Sequence, residues 1–220
     1  MKILVTGGGS IEPIDNVRAV CNFSTGTTSS FLADAFVKNG HEVTEIVSEK
    51  GVKPQLASFV TYRTFKNLEE ILKKECESKK YDAVIHAAAV SDYSPYCVIV
   101  DGKEFSVGQF SKLPAGAELT VKMKKNPKLV DSLKTWCGIN TKVVAFKLTS
   151  NAAVEERKIA VEKIFSSNEE RNLVPDFVVS NDLSEITEEE HPCTVYSKEM
   201  QVAGTVKNLQ QLSDTILELI

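Results

Sequence analysis

The sequence predicts an α/β fold, a doubly wound and mainly parallel sheet with helices on both faces, and three observations carry that prediction. Short apolar runs rich in β-branched residues alternate with longer stretches of helical period. The first run ends in Gly7-Gly8-Gly9, at the carboxyl end of a strand where such sheets meet their ligands. The chain, at 220 residues, is long enough to bury a core and is expected to form one domain over residues 1–220.

Strands are predicted at Lys2 to Thr6, Glu42 to Val47, Thr61 to Phe65, Ala83 to His86, Lys142 to Phe146 and Phe177 to Ser180, each buried centrally. Phe31 to Asn39 sets its apolar residues on one helical face, with Gly40 as the stop. Asn67 and Glu70 make a capping-box start for a helix over Leu68 to Lys79. Further helices are predicted at Lys128 to Trp136, Val154 to Phe165 and Leu209 to Leu219; in the last, Leu209, Leu212, Ile216 and Leu219 fall at helical spacing. Residues 94–117 lack clear periodicity and hold Pro95, Gly102, Gly108, Pro114 and Gly116, so they read as a long loop or flap. The acidic stretch from Ser184 to Pro192 reads as a solvated connection.

Lys and Arg total 26 against 30 for Asp and Glu, a net charge of -4, which excludes a global basic field for nucleic acid or an anionic membrane. No apolar run approaches the roughly 20 residues that span a bilayer. Small-molecule partners and a cytoplasmic location are expected. The five cysteines include no C-x-x-C pair, and an odd number cannot pair completely. They are expected to be reduced, small, buried residues, with no zinc site.

Two segments suit anion binding. In Thr6-Gly7-Gly8-Gly9-Ser10 the missing side chains let backbone amides approach a phosphate. In Ser24 to Ser29 the hydroxyls and amides can cap a helix from Ser30 and meet phosphate oxygens at its positive end. A tight turn and ordinary N-capping are the alternative explanations. A dinucleotide fingerprint fails on spacing, because Glu12-Pro13-Ile14-Asp15 follows the glycines where a helix should start.

From Val5 to Gly26 the sequence reads VTGGGSIEPIDNVRAVCNFSTG, and later segments read HAAAVSDY (His86 to Tyr93), KKNPKLVDSLK, VVAFK and VVSNDLS. In this order they closely resemble the phosphopantothenoylcysteine synthetase family. The resemblance spans nearly the whole chain and implies a Rossmann-like fold, a homodimer and a stand-alone form without a flavin-dependent decarboxylase domain. It implies a ligase of coenzyme A synthesis that joins 4′-phosphopantothenate to L-cysteine. CTP or ATP would activate the acid as an acyl-nucleotide, releasing pyrophosphate, and Mg²⁺ is expected to offset phosphate charge.

By the same resemblance, Arg18 would reach phosphopantothenate across the dimer interface. Asn22 would hold the pantothenoyl or acyl-nucleotide group and take a catalytic part. Ala88 and Ala89 would let substrate lie against backbone. Asp92 would contact nucleotide, substrate or the metal. Gly9, Ser24 and Gly26 would approach the phosphates, Phe146 the base, Lys163 the triphosphate, and Asn181 the nucleotide from a strand end. His86 is grouped with the nucleotide-binding positions as a strand-end residue rather than a catalyst.

The chain departs from the family at Ser29, usually a glycine, and in the flap. There the family carries a Lys-rich segment whose first lysine is linked to acyl-nucleotide formation, and this chain reads Gln109-Phe110-Ser111-Lys112. Lys112 or Lys103 is expected to substitute, with Lys122, Lys124 and Lys125 nearby. The rival readings are a catalytically impaired nucleotide-binding homologue and an NAD(P)-dependent oxidoreductase. The latter is prompted by Tyr62-x-x-x-Lys66, although that pair falls too early in the chain.

Overall fold

In the computed structural model, which describes residues 1–167 and 173–220, strand β1 (Lys2–Gly7) is an interior strand of an eight-stranded sheet. The hairpin of β2 (Ile11–Pro13) and β3 (Ala19–Cys21) follows, then α1 (Thr27–Lys38), β4 (Glu42–Ser48), β5 (Ser58–Tyr62), α2 (Phe65–Ser78) and β6 (Ala83–His86). Next come β7 (Tyr93–Val100), β8 (Lys103–Ser106), β9 (Leu119–Lys125), a 3-10 turn at Leu129–Ser132, α3 (Leu133–Cys137) and β10 (Lys142–Thr149). The chain closes with α4 (Val154–Phe165), β11 (Phe177–Asp182), β12 (Cys193–Ser197), β13 (Val202–Val206) and α5 (Leu209–Leu219). The large sheet runs β13-β12-β11-β10-β6-β1-β4-β5; its strands are parallel from β11 to β5, and β12 and β13 add on antiparallel.

Strand alternation sorts the core. Ile3, Val5, Val43, Ile85 and Val144 face one side, against Leu32 and Phe36 of α1 and Leu212 and Ile216 of α5. Leu4, Ile46, Val84 and Val143 face the other, against Leu68 and Leu72 of α2 and Leu133 of α3, while Ala145 and Val178 meet Val161 and Phe165 of α4. Helices thus cover both faces, as the alternation of runs predicted.

Several boundaries differ. The third predicted strand lies at Ser58–Tyr62, not Thr61 to Phe65, because the Thr64 hydroxyl accepts from Asn67 N at 3.2 Å and starts α2. Such a cap is worth about 1 kcal/mol, and it recruits Phe65 to the helical face of Leu68 and Leu72. Strand β5 is an exposed edge rather than a central strand. The expected helix from Lys128 divides into the 3-10 turn and the short α3. Residues 94–117 are not one loop: Cys97-Val98-Ile99-Val100 is a β-type run that pairs with β8 and β9 in a three-stranded antiparallel sheet, leaving 107–118 as the loop. The strands β2, β3, β12 and β13 were not foreseen. The cysteines also correct the expectation, since Cys76 at the end of α2 and Cys137 at the end of α3 are disulfide-bonded and Cys21 is exposed.

Candidate functional site

The strand order reverses between β1 and β6, and an open cleft of about 2000 Å³ lies above that point along the carboxyl ends of β1, β6, β10 and β11. Gly9 is bridged to Ala89, and Ser10 N donates to Ala89 O at 3.2 Å. A Cβ on Gly9 would stand 2.3 Å from Asn22 O, so only glycine lets the β3–α1 loop close over the first turn. Asn22 Nδ2 donates to the same Ala89 O at 3.2 Å, which ties the hairpin exit to the alanine turn.

Gly26, at φ 74°, is the N-cap of α1 and offers no side-chain hydrogen bond to the first turn. The helix begins at Thr27, three residues before the start expected at Ser30, and its first-turn amides face the cleft with the positive end of the dipole. Phe23 beside it is fully exposed at the cleft edge.

His86 is buried and holds its Nδ1 2.8 Å from Thr6 Oγ1, which in turn accepts from Ala88 N at 3.3 Å. Burial pushes the imidazole down to about 4, so it is neutral at pH 7 and buttresses the alanine turn. On the far wall, Asp182 is fully buried and held well below the ordinary carboxylate range by the Ser184 hydroxyl, with Thr149 Oγ1 and the Ala152 and Ser184 amides as further donors. It fixes the β10–α4 turn beside Asn181, whose Nδ2 lies 3.2 Å from His191 Nε2.

The cleft wall includes Gly9, Asn22, Ser24, Gly26, His86, Ala88, Ala89 and Asp92, together with Phe146, Lys163 and Asn181. Two predicted positions are not brought there. Arg18 Nη1 pairs with Asp15 Oδ2 at 2.7 Å, and Lys112 is an exposed residue of the 107–118 loop. The wall also holds Lys50, Lys128, Lys147 and His191, which sequence reasoning missed as site residues. Lys147 stood in the recognised VVAFK segment, and its position at a strand end was the available signal.

A family model described as the DNA/pantothenate metabolism flavoprotein C-terminal domain matches residues 1–220. The chain belongs to that family. Among its relatives, the coenzyme A biosynthesis bifunctional protein CoaBC of Methanocaldococcus jannaschii is 30% identical over 185 residues, covering 83% of this chain and 41% of the relative. The chain thus spans less than half the length of that relative. The DNA/pantothenate metabolism flavoprotein of Streptococcus pneumoniae superposes with a TM-score of 0.86 at 26% identity, covering 100% of this chain and 97% of the other. A Cab2 mutant in complex with phosphopantothenate-cysteine shares the fold, with a TM-score of 0.70 at 17% identity over 99% of this chain and 85% of that one.

Two features bear on how a member of this family could use the cleft. Asp92, the expected metal ligand, is ion-paired with Lys128, and among the described residues no three His, Cys, Asp or Glu side chains converge. That donor set does not fit a resident metal ion. The oxidoreductase dyad is not assembled either, because the Tyr62 hydroxyl is buried and donates to Gly8 O at 2.8 Å, while the Lys66 side chain is 80% exposed and pairs with Glu70. Among the described residues no helix is long and apolar enough to cross a membrane.

Proposed function

We propose that this chain is a phosphopantothenate–cysteine ligase of coenzyme A synthesis working in two steps. First, a carboxylate oxygen of 4′-phosphopantothenate attacks the α-phosphorus of CTP or ATP; the bond to the β-phosphate oxygen breaks and pyrophosphate leaves. Then the cysteine amine attacks the acyl carbon, the bond to the nucleotide oxygen breaks, and the nucleoside monophosphate departs as the amine gives up a proton.

The observation that carries this reading is the juxtaposition, in one cleft, of Gly8, Gly9 and the start of α1 with Lys147 and Lys163. Fixed amides and ammonium groups are what a triphosphate and a developing acyl oxyanion require. Asn22 and the alanine turn offer an amide and open backbone to the acyl group. The relatives' part in coenzyme A biosynthesis and the phosphopantothenate-cysteine bound by Cab2 support the same substrates.

In this reading Mg²⁺ belongs to the nucleotide substrate, the chain is cytoplasmic, and a homodimer lets Arg18 serve a second copy's phosphopantothenate.

The impaired-homologue reading rests on Gln109, whose Oε1 accepts from Ser106 N within the flap, and on Lys112 lying outside the cleft. One experiment separates the two. Protein is incubated with 4′-phosphopantothenate, cysteine, Mg²⁺ and either CTP or ATP, with pyrophosphate and condensed product followed by mass spectrometry. Product with either triphosphate is expected; nucleotide binding without pyrophosphate would favour the impaired homologue.

A further inference from the structure

Glu45 sits in the middle of β4 with 0% of its surface exposed, on the face that buries Val43 and Val5. A carboxylate in such a place is costly without a cation. The nearest lysine contribution comes from Lys53, whose Nζ is engaged by the carbonyls of Ser48, Glu49 and Gly51, and among the described residues Glu45 has no ion pair. Its polar neighbours are two serines in the first turns of α1.

Ser30 Oγ stands 3.1 and 3.3 Å from the two carboxyl oxygens but 2.6 Å from Val52 O. A hydroxyl has one proton to give, and the shorter bond to the carbonyl takes it. Ser29 Oγ likewise donates to Gly26 O at 2.8 Å. With each hydroxyl proton assigned to its carbonyl, the serine oxygens can only accept from Glu45, and a hydrogen bond across that gap then needs a proton on the carboxyl group.

We propose that Glu45 is a positioning residue, held as a neutral carboxylic acid that donates to a first-turn serine, and that anion binding at the glycine loop and the start of α1 depends on that proton. The inference rests on the triphosphate reading of this loop. Ionised, Glu45 would set a full negative charge beneath amides whose helix end is worth about half a positive charge, and would weaken the attraction for phosphate. Burial pushes Glu45 up to about 7, so the change of state falls at neutral pH.

Burial outweighs the groups around Glu45, which act in both senses, the two serine contacts lowering it. From α1, Asp34 raises it further; its own carboxylate accepts from the Gln55, Leu56 and Ala57 amides. From the loop after β4, Lys53 acts in the opposite sense. From β5, the Tyr62 hydroxyl donates to Gly8 O and is itself driven well above its usual range by burial, with Glu45 and Glu12 adding to the shift.

The test uses the full chain and its Glu45→Gln variant, with the KM for CTP or ATP measured between pH 5.5 and 8.5 and the glutamate side-chain carboxyl carbons titrated by ¹³C NMR. Wild-type affinity is expected to weaken above neutrality and to reach about a tenfold deficit against the variant one pH unit beyond the Glu45 midpoint. The variant, neutral at every pH, should show only the nucleotide's own titration. Superimposable KM profiles, or a Glu45 carbon already ionised at pH 6, would overturn the proposal.

Ser30→Ala supplies a second, signed measurement. Removing an acceptor of the acid's proton should lower the Glu45 midpoint, whereas removing a donor to a carboxylate would raise it and sink the idea. Should neither triphosphate be turned over, the ligase reading is lost, and the carbon titrations of wild type and Ser30→Ala still decide the state of Glu45.

Discussion

The Asn22 side chain donates from its amide nitrogen to Ala89 O, in the gap between the hairpin and the alanine turn. Asn22→Asp sets an anion against that carbonyl and against incoming phosphate. Product formation is expected to fall about 100-fold, the scale of losing one oxyanion donor, with nucleotide binding retained by calorimetry; unchanged turnover would remove Asn22 from the site. Lys147 tests the electrostatics of the opposite wall. Among the described residues it forms no ion pair, so Lys147→Met should raise the KM for the triphosphate about tenfold, ~1.4 kcal/mol, and leave the melting temperature nearly unchanged. The sequence made the glycines, Asn22 and Phe146 legible because their motifs are contiguous. Glu45 was not, because a strand's alternation tells which face a side chain takes and says nothing of what waits there.

At the scale of elements, the hairpin turn and the flap are pinned by one buried carboxylate. Asp15 accepts from Val17 N at 2.7 Å, Arg18 N at 2.6 Å and Leu113 N at 2.8 Å, besides its ion pair with Arg18. The Leu113 amide does most to bring it down to about 2. Because the folded value lies below the unfolded one, this contribution to stability is complete above about pH 4 and is lost as pH falls through 2. Asp15→Asn keeps the shape and removes the charge. Amide exchange at Leu113 should then accelerate about tenfold or more, and the acid branch of the stability curve should flatten; unaltered exchange would show that the flap is held elsewhere. This pin was invisible in sequence, since Asp15 and Leu113 lie 98 positions apart. The same non-locality hid β12 and β13, whose pairing depends on β11. By contrast α4 and α5, whose signal is local, begin and end where their periodicity put them.

For the molecule as a whole, the order β5-β4-β1-β6-β10-β11 puts every loop that bears on the site at one edge of the sheet. The alternation of strands and helices predicted the parallel, doubly wound class and ligands at the carboxyl ends of its strands, but not that order. What the cleft accepts is a separate matter, decided by the late start of α1 and by Tyr62 being spent on Gly8 O rather than on a nicotinamide substrate. A ligand that binds only the folded chain stabilises it by mass action, about 2.7 kcal/mol at a hundredfold excess over its Kd. For a domain of this size that corresponds to a rise of about 5–10 °C in Tm. Magnesium CTP or ATP at such concentrations should produce this rise, and a further increment should follow when 4′-phosphopantothenate is added. NADP⁺ at equal concentration should produce none, because the first turn lacks the helix that would seat a dinucleotide's pyrophosphate directly after the glycines. A rise with NADP⁺ and none with either triphosphate would reverse the assignment of the cleft.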